Sequence, residues 1–482
     1  MNIKELFDVD YDLEITGISV DSRQVLPGDL FVCIKGYTVD GHQFAKKAEE
    51  AKAAAIVCEH HLDGIKIPQI IVASTGAELP RLANIIFDEP TKKLNLFGVT
   101  GTNGKTTVAY ILEHLLKNFL GNVGYIGTNG IRYGEVTIDP INTTPEALSL
   151  QKCFYDMVEG KVENVAIEVS SHALDLKRVD YCEFKAAIFT NLTPEHLDFH
   201  PTMEDYFEAK YKLYTKIAPG GYAIINIDDD YGVRIVNRLK EKGTSVYTYA
   251  IEEAADFQAV DIQMTATGTK FTLKHAKGAF EVHTPLLGTF NVYNVLGAMG
   301  AVYSAGLPLE KAIQSVSTLP GIDGRMELIN EGQDFTVIVD YAHTPDGVEK
   351  VLEFVSDIKQ NTIKVVMGCP GDRDRTKRPV IAKLITQYAD DAIFTTDDPH
   401  SEDPIHILDD MIAEFEDESY EVIVDRTAAI EAVINKARKN DIILIAGRGH
   451  QKVQYWKDND IELDDREVVK EMLRKRLAIK SS

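Results

Sequence analysis

The stretch Gly98-Val99-Thr100-Gly101-Thr102-Asn103-Gly104-Lys105-Thr106-Thr107 decides the fold. Before it, Leu94-Asn95-Leu96-Phe97 is a short apolar run that reads as a buried strand, and after it residues 108–116 are apolar at helical spacing. Strand, glycine turn and helix in that order is the setting a phosphate-binding loop requires. Glycines let backbone N–H groups close around phosphate oxygens, and the start of a helix adds positive potential. Gly101, Thr102, Asn103 and Gly104 would form the cradle, followed by Lys105, Thr106 and Thr107. Lys105 would reach the β- and γ-phosphates, and the Thr106 hydroxyl would bind Mg²⁺. Only two residues separate Gly101 from Gly104, a shorter gap than usual. Even so, Gly-Lys-Thr-Thr at a strand–helix junction points to ATP.

Working outward, 482 residues are too many for one core, and about three domains of roughly 100–200 residues are expected. Apolar content of 44% and charged content of 26% describe an ordinary globular protein. A net charge of −24 argues against a reader of nucleic-acid backbones, which wants a basic face. The five cysteines (Cys33, Cys58, Cys153, Cys182, Cys369) are scattered, with no Cys-x-x-Cys pair, and read as reduced core residues. Met1-Asn2-Ile3-Lys4-Glu5 lacks a leader's apolar core, and no run approaches 18 apolar residues. The expectation is a cytoplasmic monomer without membrane insertion that acts on small molecules.

Three α/β segments are expected. Residues 1–90 alternate short strands with a helix over 42–53 and make a small N-terminal α/β domain. Residues 91–320 read as a central, mostly parallel sheet of the P-loop ATPase kind, with an antiparallel insertion over 246–285. Residues 321–482 alternate again and suggest a Rossmann-like domain, with the Lys/Arg-rich tail after Lys470 as a solvated helix.

Several strand ends carry chemistry. Glu168 closes an apolar run, and a carboxylate at the C-terminal end of a parallel strand faces the ligand crevice. It is a candidate for Mg²⁺ ligation, while His196, in Thr193-Pro194-Glu195-His196, reads on its own as structural. Lys210 lies in Tyr206-Phe207-Glu208-Ala209-Lys210-Tyr211, which by spacing alone is a surface helix. Arg373, Arg375, Lys377 and Arg378 sit beside glycines at 368–379 and suggest an anion site, since Arg grips carboxylate or phosphate bidentately. Asp340, Asp397-Asp398-Pro399-His400 and Gly447-Arg448-Gly449-His450-Gln451 also follow strands, so these loops should open on one side of a sheet.

Taken together, the motifs resemble the Mur ligase family, most closely its MurE type, over about residues 21–467. The markers are Asp-Ser-Arg at 21–23, the 101–107 loop, Asn-Thr-Thr-Pro at 142–145 and Glu-Val-Ser-Ser-His at 168–172. Gly-Thr-Phe-Asn-Val-Tyr-Asn at 288–294, Gly-Arg-Met-Glu at 324–327, Asp-Tyr-Ala-His-Thr-Pro at 340–345 and Gly-Asp-Arg-Asp at 371–374 follow in order. The resemblance implies three domains, for a UDP-linked acceptor, for ATP and for an incoming amino acid. It also implies amide synthesis through an acyl phosphate, with release of ADP and phosphate. By the same resemblance, Ser22, Tyr37, Thr38 and Val39 would contact the UDP end of a UDP-muramoyl dipeptide. Asn142, Thr143, Thr144, Ser170 and Arg178 would hold its dipeptide. Thr106 and Glu168 match a first Mg²⁺ site, and His196 a ligand of a second. Asn294, Arg325 and Asp340 match groups that hold ATP, and Lys210 matches a lysine carried as a carbamate (N6-carboxylysine). Arg373 matches the group that binds the incoming amino acid's α-carboxylate, beside Asp397, Asp398, His400, Gly447 and Gln451.

Two departures concern that amino acid. Enzymes of this type that add meso-diaminopimelate usually read Asp-Asn-Pro-Arg where this chain has Asp397-Asp398-Pro399-His400. Loss of the Arg and the added charge of Asp398 favour a distal ammonium, so the expectation is a basic, lysine-like amino acid. The usual Gly-Lys-Gly-His-Glu is here Gly447-Arg448-Gly449-His450-Gln451, which weakens the ammonium anchor. A related ligase of the folylpolyglutamate kind, or a retired ligase kept as a nucleotide-dependent binding protein, are the other readings.

Overall fold

Three mainly parallel sheets follow one another along the chain, each with its own core. The computed structural model describes all residues except 37–38, 140–141, 198, 266–267, 416–419 and 482. The first sheet sets Gly17–Ser19, Asp29–Val32, Ala55–Cys58 and Gln69–Ile71 side by side, all parallel. Its two inner strands are buried on both faces, as their unbroken apolar runs require. The helix expected over 42–53 is shorter: a tight turn at Gly41–Phe44 leads into Ala45–Glu50. Asp40 caps it by accepting from the His42 amide at 3.0 Å.

The second sheet has eleven strands. Seven run parallel, in the order Val123–Gly127, Asn164–Glu168, Asn95–Thr100, Phe184–Phe189, Ile217–Asn226, Ser245–Ala250 and Phe257–Thr265. Val99 lies opposite Glu168 and Thr100 opposite Phe189, so the phosphate loop and the Glu168 carboxylate emerge at the same edge. Helices Lys105–Leu120 and Thr289–Ser304 pack on one face around Leu112, Leu115, Val295 and Met299. Ala147–Glu159, Met203–Tyr211 and Asp230–Glu241 cover the other around Phe154, Phe207 and Leu239. The stretch expected as an antiparallel insertion instead widens this sheet. Phe257–Thr265 pairs parallel with Ser245–Ala250, and Gly268–His275 and Gly278–Thr284 continue it antiparallel. Its alternating burial fits one covered face and one open face.

The third sheet runs Glu327–Leu328, Thr336–Asp340, Ile442–Ala446, Ile363–Met367, Asp391–Phe394 and Tyr420–Val422, parallel except for the first pair. The final helix, Asp465–Ser481, is not merely solvated. It buries Val469, Met472 and Leu473 against Arg426–Lys436. The fully buried Arg426 and Asp465 join the two helices at 2.7 Å.

Candidate active site

The phosphate loop is shaped by close approaches that tolerate no side chain. Gly101 has φ +151° and Gly104 φ +85°. A Cβ on Gly101 would meet Thr190 Oγ1 at 1.8 Å, and one on Gly104 would meet Asn294 Oδ1 at 2.4 Å. Neighbouring strand ends brace the loop: Thr190 Oγ1 donates to the Asn103 carbonyl at 2.6 Å, and the Asn103 amide donates to Asn191 Oδ1 at 2.9 Å. Thr102 Oγ1 donates to the Thr193 carbonyl at 3.1 Å. Lys105 Nζ donates to the Gly101 and Thr102 carbonyls at 3.0 and 2.7 Å. Burial pushes its ammonium below the usual pKa, with Glu168 working against that shift.

Glu168 is fully buried and held on several sides. Its carboxylate accepts from Thr106 Oγ1, Tyr125 OH and the Thr128 amide, each at 2.9 Å. Thr106 and Glu168 thus present hard oxygen donors side by side, a chemistry that suits Mg²⁺ with its remaining positions filled by water and phosphate. The 142–144 stretch joins the same edge. Thr144 Oγ1 donates to the Glu168 carbonyl at 2.8 Å and accepts from the Ser170 amide at 3.1 Å. Thr143 Oγ1 lies 3.1 Å from Thr128 Oγ1, and Arg178 Nη1 donates to the Thr144 carbonyl at 3.0 Å. Arg178 also pairs with Glu146 at 2.5 Å, and Asn142 begins this turn, partly buried.

Lys210 is not on a surface face. It is 2% exposed, donates from Nζ to the Gly101 carbonyl at 2.7 Å and lies 4.5 Å from the centre of the Tyr206 ring. Burial, then the nearby charge of Lys105, pushes its amine well below the usual lysine pKa. The neutral amine so favoured is the form that adds CO₂ to give a carbamate. His196 stands at the rim with φ +57° and an edge-on contact to His172, ring centres 4.8 Å apart. Its pKa is lowered by desolvation first and by Lys105 next.

The third domain closes the site from the other side. Arg325 donates to Thr106 Oγ1 at 3.4 Å and lies 4.4 Å from the Tyr341 ring centre, and its buried Nε has no partner among the described residues. Asp340 accepts from the Met326 and Ala342 amides at 2.6 and 2.7 Å, and burial raises its pKa against the pull of Arg325. Asn103 Nδ2 donates to Asp346 Oδ2 at 2.7 Å, joining the phosphate loop to helix Pro345–Asp357. A cleft of about 470 Å³ lies between the domains, lined by Asn103, Gly104, Asn294, Arg325 and Asp340 among others. That size and mixed lining suit a nucleotide. Thr107 lines it too.

The basic stretch at 368–379 does not form one shared anion site. Arg375 pairs with Asp410 at 2.9 Å, and the fully buried Arg378 pairs with Glu402 and Asp410 at 2.8 and 2.7 Å. Lys377 approaches Glu195 at 3.8 Å, across to the central domain. Arg373 alone of the four has no carboxylate partner among the described residues, and it is exposed. Asp398 differs most from expectation. It is 4% exposed, its carboxylate is paired with the fully buried Arg448, and it accepts from the Tyr455 amide at 3.2 Å. It therefore offers no free negative charge to a distal ammonium, and the electrostatic case for a lysine-like amino acid falls. Asp397 is pushed up to about 6, chiefly by burial, and Gly447 packs against its Oδ2. His400 has φ +50°, and its ring stacks on Tyr455 at 5.8 Å. The Gln451 amide donates to the Arg448 carbonyl at 3.0 Å.

Ser22 and Val39 belong to the N-terminal domain, apart from this cluster. Ser22 sits between Asp21 and Arg23, which pair at 2.7 Å, and Val39 is exposed. Tyr37 and Thr38 lie outside the described residues. Sequence reasoning missed Tyr125 and Thr128 behind Glu168, Tyr206 beneath Lys210, Tyr341 beside Arg325, and Asp346. Tyr125, Thr128 and Asp346 act across the fold, where nothing in the local sequence marks them, whereas Tyr206 lies one helical turn before Lys210 and Tyr341 directly follows Asp340.

Three family models match the chain in order. They are the Mur ligase family catalytic domain over 14–85, the Mur ligase middle domain over 99–302, and the Mur ligase glutamate ligase domain over 324–449. A Bacillus cereus protein named UDP-N-acetylmuramoyl-L-alanyl-D-glutamate–2,6-diaminopimelate ligase is 45% identical, over 96% of this chain and 95% of its own. A solved structure of a ligase of the same name is 30% identical, covers 99% of both chains and superposes with a TM-score of 0.72. The crystal structure of the MurF ligase of Thermotoga maritima in complex with ADP is 18% identical and covers 96% of this chain and 98% of its own. Its TM-score of 0.68 shows a shared fold.

Proposed function

The chain belongs to the Mur ligase family, ATP-dependent amide ligases, and on that premise we propose that it adds meso-diaminopimelate to UDP-N-acetylmuramoyl-L-alanyl-D-glutamate. The observation that carries the choice of amino acid is the near-full-length likeness to relatives named for that reaction, at 45% identity. The closed Asp398–Arg448 pair supports it, because it removes the free carboxylate that favoured lysine.

A free carboxylate is a poor electrophile, so the acceptor must be activated. Its terminal oxygen attacks the γ-phosphorus of ATP, the bond to the β-phosphate oxygen breaks, and ADP leaves. The amine of the incoming amino acid then attacks the acyl carbon, loses a proton and displaces phosphate. The chain's task is to align these partners and neutralise charge on the transferring group. Lys105 and the amides of 101–107 are suited to the β- and γ-phosphates, and Arg325 approaches from the third domain. Glu168 and Thr106 would hold Mg²⁺, which supplies charge neutralisation on the phosphates when bound. Carbamylated Lys210 would add an anionic oxygen beside Gly101, and His196 would stand at a second ion. Thr143, Thr144, Ser170 and Arg178 line the edge where the dipeptide carboxylate must lie. Ser22 and Val39 would meet the UDP end. Arg373 would take the α-carboxylate of the incoming amino acid. The substrates imply a cytoplasmic protein, and among the described residues no helix is long and apolar enough to cross a membrane.

The test is phosphate release from ATP with the UDP-muramoyl dipeptide, measured with diaminopimelate, lysine and ornithine in turn. Turnover is expected with diaminopimelate. Preference for lysine would overturn the amino-acid assignment, and absence of ADP with every pair would leave a retired ligase.

A further inference from the structure

Asp398 and Arg448, one departing residue from each of the two amino-acid loops, meet in the fold. Asp398 follows strand Asp391–Phe394 and Arg448 follows Ile442–Ala446, and strand Ile363–Met367 lies between them in the sheet. The ion pair therefore crosses over the end of the middle strand, where the chain turns at Gly368 toward Arg373. The crossing is tight: a Cβ on Gly368 would meet the Thr395 carbonyl at 2.1 Å. The Gly371 amide donates to the Asp398 carbonyl at 2.9 Å, so the pair ties three loops into one unit. Those loops carry Arg373, His400 and Gln451. Arg448 is fully buried, and its Nη2 also donates to the Leu463 carbonyl at 3.1 Å. Arg426 faces the same carboxylates but is taken by Asp465 at 2.7 and 2.8 Å. Arg448 is thus the cation that answers Asp398. Without it, a buried carboxylate must either find another cation or turn outward to one.

We infer that Arg448 is the positioning residue that sets the charge of the amino-acid pocket. By closing Asp398 into an ion pair, it withholds a free carboxylate that would repel a distal carboxylate and favour a lone distal ammonium, and so keeps the pocket open to an amino acid whose far end bears a carboxylate beside its ammonium. This rests on the reading that these loops receive the incoming amino acid. It goes beyond that reading in assigning selectivity to a residue that need not touch the substrate.

The experiment measures binding of diaminopimelate and of lysine by titration calorimetry, with the full-length protein holding a non-hydrolysable ATP analogue and the UDP-muramoyl dipeptide. Arg448→Gln should shift the affinity ratio toward lysine by about tenfold or more, because it frees Asp398. Asp398→Asn should weaken lysine further, and the double variant should return to within about threefold of the wild-type ratio, since neither charge is then left unpaired. Arg448→His gives a second readout within one folded protein. Its ratio should favour diaminopimelate at pH 6, where imidazolium replaces guanidinium, and move toward lysine by pH 9, while the wild type stays flat. A folded Arg448→Gln protein with the wild-type ratio overturns the inference. So does an Arg448→His protein whose ratio ignores pH, which serves where Arg448→Gln does not fold. A wild type that binds diaminopimelate yet releases no phosphate breaks the proposed function instead and leaves the ratios readable.

Discussion

The phosphate loop and the amino-acid loops hold their charges in opposite ways. Lys105 has no carboxylate within ion-pair reach among the described residues, and its donors rest on the carbonyls of its own loop. Around the third sheet, Arg378 with Glu402 and Asp410, Arg426 with Asp465, and Arg448 with Asp398 are closed against one another. The first site is built from seven consecutive residues whose backbone makes the cradle, so its cation is left for the ligand. The second is assembled from separate loops with no backbone pattern to hold them. Ion pairs supply the missing constraint, and Arg373 is left exposed without a carboxylate partner among the described residues, which on the proposed function frees it for substrate. On the proposed function the cation of the 101–107 loop is chemical, whereas most cations of the third-sheet loops are architectural.

That contrast breaks most readily at Lys105. Lys105→Ala should leave thermal stability within a degree or two and cut kcat by roughly 10³-fold or more, since it removes a preorganised charge at the transferring phosphoryl group. Phosphate-release assays beside a melting curve check both, and retained turnover would end the distinction. Arg426→Ala should do the reverse. It strands the fully buried Asp465 and should cost about 3–5 kcal/mol in urea unfolding. A smaller loss would mean that the pair is not structural.

Lys210→Ala sharpens the comparison, because Lys210 is a buried amine at the 101–107 loop with no carboxylate partner among the described residues. Turnover should fall by about 10²-fold through lost alignment and charge, and short carboxylic acids added to the assay should restore part of it. Full activity would remove Lys210 from the reaction. The smallest effect concerns pH. Arg378 holds Glu402 down to about 2 from its usual 4.5. A depressed carboxylate contributes stability that is whole above about 4.5 and is lost as pH falls through 2. Glu402→Gln should therefore cost about 1–2 kcal/mol at pH 7 and progressively less as pH falls from 4.5 toward 2, measured by urea unfolding across that range. An equal cost at both ends would place the contribution in packing rather than charge.

Legibility from sequence follows the same division. Residues 101–107, Glu168 and Asp340 could be found because each closes or follows an apolar run, and parallel strands deliver such positions to one edge. Lys210 could not, since helical spacing says which side chains share a face but not which face is covered. Family resemblance singled it out, and only the fold shows it buried at the loop. Asp398 was misread for a related reason. A carboxylate in a loop counts as free charge until the residue opposite is known, and Arg448 lies fifty positions away.

By itself, the sequence determined the strand–loop–helix unit, the order of the three α/β domains and the place of the glycine loop at 101–107, because backbone geometry and apolar periodicity act over a few residues. The tertiary structure decided which charges remain for substrate. Charge neutralisation acts through space between residues far apart in the chain, and burial, which makes a partner obligatory, exists only once the loops have met.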